Sequence, residues 1–149
     1  MSESSDNEAS EAHPMSTASP EIQDLARRLL AFEAAHDSSS DVRVEVAVRV
    51  IEELRMRLIR LAGVDGFRSL LSRALTLAKA KVPSLNMVHV RADGSVEGFD
   101  GIEQSQEAGE ATQAGIVLVA HLLELLITFI GEPLTLRLVR DNWLVASNN

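Results

Sequence analysis

The feature that most constrains this chain is residues 114–131, AGIVLVAHLLELLITFIG, a helix-length run that is apolar on nearly every side. Only His121, Glu124 and Thr128 interrupt it, and their spacing of three and four residues places them on one helical stripe. A helix apolar all round must sit at the centre of a packed core or span a membrane. Eleven strongly apolar residues in the run favour insertion by about 3–6 kcal/mol in total, while Glu124 alone costs about 2.5–3.5 kcal/mol and His121 adds to that. Hydropathy therefore leaves the two readings nearly balanced. Context selects the core. Eighteen residues is the short end for a span, and no Trp, Tyr, Lys or Arg anchors either end. The amphipathic helices that precede the run also need an apolar partner.

The first of these opens at Ser19-Pro20-Glu21, where a capping hydroxyl, a proline at the first helical position and an acid at the positive end of the helix dipole follow one another. Its apolar face is Ile22, Leu25, Leu29 and Phe32, and it fades at His36, before the polar linker Asp37–Asp41. Residues 42–50, VRVEVAVRV, alternate as a strand would. They run without a breaker into Ile51, Leu54, Leu58 and Leu61, whose helical face extends back through Val48, Ala47 and Val44. Opposite charges four apart, at Glu45 and Arg49 and at Glu53 and Arg57, add to a helix over 42–62. The turn Gly63-Val64-Asp65-Gly66 ends it, and Asp65 is placed to cap a helix over 66–82 that buries Phe67, Leu70, Leu71, Ala74, Leu75 and Ala78. Pro83 stops that helix.

Asp93-Gly94 between apolar runs predicts a β-hairpin over about 87–99, with Gly94 at positive φ. Residues 100–110 read as a mobile loop, and Glu132-Pro133 restarts the chain after the apolar helix. Residues 134–143 read as a short helix, although Leu134, Leu136 and Leu138 also alternate. The fold class expected is mainly α: a helical bundle of four to five helices with one β-hairpin, forming a single domain over 19–149. A disordered acidic tail precedes it at 1–18, too poor in apolar residues to offset chain entropy.

Charge narrows the function. Residues 1–40 carry a net −6 and residues 41–149 a net −2, so the body lacks the basic stripe that nucleic acid requires. With no tyrosine and only Phe32, Phe67, Phe99, Phe129 and Trp143, stacking on single strands has little to work with. The absence of cysteine removes disulfides, thiolate metal sites and cysteine nucleophiles, and fits a cytoplasmic protein. The first twenty residues hold no Leu, Ile, Val, Phe, Lys or Arg, which is not the pattern of a secretory signal.

His121 and Glu124 form an H-x-x-E pair close enough to hydrogen-bond, and with Thr128 they are the candidate ligand-binding residues. A pair of buried polar groups satisfying each other explains the same spacing. One reversed motif with no second histidine-bearing helix does not build a metal centre, so no metal and no cofactor is expected. No nucleophile elbow, P-loop or calcium loop occurs, and no catalytic residue is assigned. Arg49, Arg57 and Arg60, interleaved with Glu45, Glu52 and Glu53, form a solvated face. Met87, His89 and Arg91 lie on the hairpin edge, where a second chain can add a strand and complete a symmetric four-stranded sheet.

From Ala62 to Trp143, the stretches AGVDGFRSLLSRALTLAKAKVPSL, VHVRADGSVEGF and IGEPLTLRLVRDNW resemble a family of uncharacterised bacterial proteins. The resemblance covers roughly the C-terminal half. It implies a compact bacterial domain, and brings neither an activity nor site residues. The expected function is a non-enzymatic interaction or regulatory module that self-associates or binds another protein. Two alternatives stay open: a small-molecule sensor with an apolar pocket lined by helix 114–131, and a metal protein or enzyme using His121 and Glu124.

Overall fold

In the computed structural model the described residues are 19–35, 43–98 and 108–141. They form four helices and one two-stranded antiparallel hairpin: α1 (Pro20–Ala35), α2 (Arg43–Lys81), β1 (His89–Val90), β2 (Val96–Glu97), α3 (Ala108–Ile130) and α4 (Glu132–Val139). The expected tail at 1–18, the linker at 37–41 and most of the loop at 100–110 lie outside the described residues. α3 begins six residues before the apolar run does, so 108–110 are helical where a loop was expected.

α3 is the axis of the bundle. Ala114, Leu118–Ala120, Leu122, Leu123 and Leu126 have no accessible surface, and α1, α2 and α4 all pack on it. It is also the one described helix long and apolar enough to cross a membrane. Its burial among the other helices is what the amphipathic faces of those helices require.

α1 starts where the cap predicts: Ser19 Oγ accepts from the Ile22 N–H at 3.3 Å. Leu25, Ala26 and Leu29 are buried, with Ile22 and Phe32 packed at the margin.

α2 settles the alternation of valines in favour of helix. Val46, Ala47, Val50, Ile51, Leu54 and Leu58 are the buried positions, a helical spacing, while Val48 turns to the side. Arg49 reaches across to Glu33 on α1 at 3.4 Å, joining two helices. The expected four-residue turn shrinks to one residue. Gly63 alone leaves helical geometry, at φ 81° and ψ 167°, a region essentially closed to side-chain-bearing residues. Helix resumes at Val64, so Asp65 sits inside the first turn and pairs with Arg68 at 3.8 Å instead of capping from outside.

The two arms of α2 double back at Gly63. Ala47 of the first arm meets Gly115 of α3, and Val82, just past the second arm, lies beside Ala120 and His121. The hairpin tip bridges them, with Gly94 against both Arg55 and Phe67. The second arm buries Phe67, Leu71, Ala74, Leu75 and Ala78 as its pattern predicts, while Leu70, expected with them, is half-buried at the margin of the core.

Pro83 does more than stop a helix. It opens a short 3-10 helix, Pro83–Met87, that buries Leu85 and delivers the chain into β1. The strands are two residues each, in the register His89↔Glu97 and Val90↔Val96. Gly131 (φ 96°, ψ 153°) bends the chain again, and α4 folds back to bury Thr135 and Val139. The alternating leucines at 134–138 are therefore helical.

α2 and α3 approach closely at Gly115, where an added Cβ would stand 2.8 Å from the Ala47 Cβ. In an open helix a Gly-to-Ala change gains about 0.5–1 kcal/mol. Here Gly115→Ala is expected to lose about 1–3 kcal/mol through overpacking. Urea denaturation checks the sign, and adding Ala47→Gly to the same chain should recover part of the loss.

Candidate functional site

The polar stripe of α3 does not work as a unit. His121 is 3% exposed, and its Nδ1 donates to the Val117 carbonyl at 2.9 Å, one turn earlier on the same helix. A carbonyl only accepts, so this bond places a proton on Nδ1. Thr128 is exposed, and its hydroxyl donates to the Glu124 carbonyl at 3.2 Å. Glu124 is half-buried, and its Oε1 is enclosed without a hydrogen-bond partner. The His121–Glu124 hydrogen bond expected from the i, i+3 spacing is not formed. Both His121 and Thr128 turn to the backbone of their own helix, and the carboxylate stands apart.

Of the three, His121 lines a cleft, of about 240 Å³, shared with Gln23 of α1, Lys81 and Val82 at the end of α2, and Gln113 and Ala120 of α3. A second, larger groove of about 410 Å³ runs between α1, the first arm of α2 and the start of α3, lined by Leu30, Ala34, Ala47, Gly115 and Ile116. Helix 114–131 thus contributes to both, while Glu124 and Thr128 border neither. Among the described residues no three His, Asp or Glu side chains gather to hold a metal ion.

The three hairpin residues sit at the surface. Met87 ends the 3-10 helix and is 37% exposed, His89 is exposed on β1, and Arg91 follows it. Arg91 is held within its own hairpin by Glu97, at 3.1 Å. The tip is a turn closed by Gly94 N–H donating to the Arg91 carbonyl at 2.9 Å, with Gly94 at φ 89° as expected. Asp93 Oδ1 accepts from both the hydroxyl and the backbone N–H of Ser95, at 2.6 and 3.0 Å.

A third feature escapes sequence inspection. Fifteen residues beyond the Ala47–Gly115 contact, α2 reaches Ala62 and α3 reaches Ile130. At 1.5 Å per residue each has travelled about 22 Å before its bend, at Gly63 within α2 and at Gly131 after α3. Around those bends large apolar side chains stand in solvent: Leu61 (58% exposed), Phe129 (63%), Val64 and Leu134. Met56, 63% exposed, lies nearly two turns before the first bend. Exposed bases (Arg57, Arg60, Arg68) and exposed acids (Asp65, Glu132) flank them.

No family model matches the chain, and neither a curated protein nor a solved structure matches it.

Two outcomes follow from this geometry. An enclosed carboxylate oxygen without a partner is costly, so Glu124→Met should raise stability by about 1 kcal/mol in chemical denaturation. A loss of stability would show that the carboxylate is satisfied in solution. At the hairpin, the bonds from Ser95 hold the Asp93 carboxyl below its ordinary value. A depressed folded-state value means that its stabilisation is complete above the ordinary carboxyl range and is lost as pH falls through the folded value. Asp93→Ala should lower stability slightly at neutral pH, leave it unchanged at the acid end, and so flatten that limb of the stability profile.

Proposed function

We propose that the chain is a soluble, cytoplasmic, non-enzymatic interaction module that self-associates as a homodimer through the apolar end of its bundle. The observation that carries this reading is the exposure of Leu61 and Phe129 beside the two glycine bends. Scattered surface leucines are ordinary, but large apolar side chains gathered at one end of a small domain mark a surface that loses water on binding.

The chemistry of the rim favours a second copy as the partner. Arg57, Arg60 and Arg68 stand on α2, with Asp65 beside them and Glu132 opening α4. A surface carrying both signs is self-complementary under a two-fold axis, because each copy's bases can meet the other's acids. A standard interface covers about 800 Å² on each partner, so the apolar centre needs this charged rim to complete it. The hairpin edge offers less: two residues per strand give few backbone bonds to share, and Arg91 is already engaged.

Light scattering across a size-exclusion column, on the full chain without detergent, tests the proposal. The mass expected is twice 16.2 kDa. Leu61→Glu combined with Phe129→Glu should give a monomer with unchanged circular dichroism, while His89→Glu should remain dimeric. A monomer at every concentration contradicts the reading. Dissociation by His89→Glu alone would move the interface to the hairpin, and recovery only in detergent would move α3 into a bilayer.

A further inference from the structure

We propose that the cleft between α1, the end of α2 and the N-terminal half of α3 binds a small apolar monocarboxylic acid, with Lys81 taking the carboxylate. Three segments far apart in sequence bring their polar side chains together here: Gln23, Lys81, and Gln113 with His121. They stand over an apolar floor that includes Val82 and Ala120. A few convergent polar groups on an apolar surface is the composition of a small-molecule site.

The charges around the cleft select the ligand. Among the described residues no acid lines it and Lys81 forms no ion pair, whereas Arg28 and Arg49 on neighbouring faces are paired with Asp24 and Glu33. An incoming carboxylate therefore meets one cation, two side-chain amides and no repulsion. His121 is held by its bond to the Val117 carbonyl, so the ring edge that borders the cleft keeps a fixed orientation. One carboxylate matches one lysine. A second charge, as on a dicarboxylate or a phosphate dianion, would be carried towards Val82 and Ala120 without a partner. Size sets the other bound. Water occupies about 30 Å³ per molecule in the liquid, so the cleft suits a ligand of about eight non-hydrogen atoms. A short branched acid meets both conditions.

The test uses the full chain and 3-methylbutanoate as the probe, followed by titration calorimetry and by the side-chain amide signals of Gln23 and Gln113 in NMR. Saturable binding is expected, with both amide pairs shifting together. The neutral analogue 3-methylbutanamide should bind at least about tenfold more weakly, and Lys81→Met should weaken the acid by a similar factor. Lys81 is exposed at a helix end, and an unchanged thermal midpoint confirms that its replacement leaves the fold intact. Gln113→Leu, also at an exposed position, provides a second variant expected to weaken binding. The proposal fails if no saturation occurs up to about 10 mM acid. It fails equally if Lys81→Met binds as the parent does, or if inorganic phosphate competes as well as the acid. None of these outcomes depends on the dimer, since the cleft lies at the far end of the second arm of α2 from the Gly63 bend and its apolar surface.

Discussion

Everything in this fold depends on keeping α3 dry. Its backbone satisfies itself, but Leu118, Leu122, Leu123 and Leu126 are all fully enclosed and point in several directions around the helix. Burying each such side chain contributes about 1.5–3 kcal/mol, and no single neighbour can cover them all. α2 covers two sides by folding back on itself, α1 covers a third, and α4 closes over the last turns. The hairpin then seals the seam between the two arms of α2, with Gly94 against Phe67 and Arg55. The contact between Gly115 and Ala47 fixes how closely the axis approaches its first neighbour.

The same solution generates the exposed end. Wrapping one helix with a doubled-back neighbour requires sharp reversals, and Gly63 and Gly131 supply them in a backbone region that other residues rarely enter. A reversal in one residue leaves no loop to fold over the helix ends. Leu61, Val64, Phe129 and Leu134 are therefore left projecting beyond the packed layers. In this account the economy of the turns and the apolar surface are one feature, and the proposed self-association would supply the cover that a longer loop gives.

Much of the architecture was legible because its signals are local. The cap at Ser19, the inward faces of α1 and of both arms of α2, and the positive φ at Gly94 each follow from residues within a turn or two of one another. The valines at 42–50 carry two signals, since an alternating pattern and a helical one share Val46 and Val50, and continuity with Ile51 and Leu54 decides for the helix. What did not show was non-local. Pro83 reads as a stop, and only the burial of Leu85 makes the following residues a 3-10 helix. The cleft draws Gln23, Lys81 and Gln113 from three segments with no common spacing, so of its polar residues only His121 carries a local sequence signal. A uniformly apolar helix also gives no hint of where its neighbours end, so Phe129 looked as buried as Leu122. Finally, spacing placed His121 and Glu124 together but did not show that the backbone carbonyl of Val117 takes the imidazole proton.

The central claim is that α3 is the buried axis on which the rest of the bundle is assembled. Native-state amide hydrogen exchange in detergent-free buffer tests it most directly. The amides from Val117 to Leu126 should exchange only through global unfolding, at one common free energy shared with Leu54–Leu58 and Leu71–Leu75. Rapid exchange along α3 while α2 stays protected would contradict the account, because a bundle that survives the opening of its axis is not built around it.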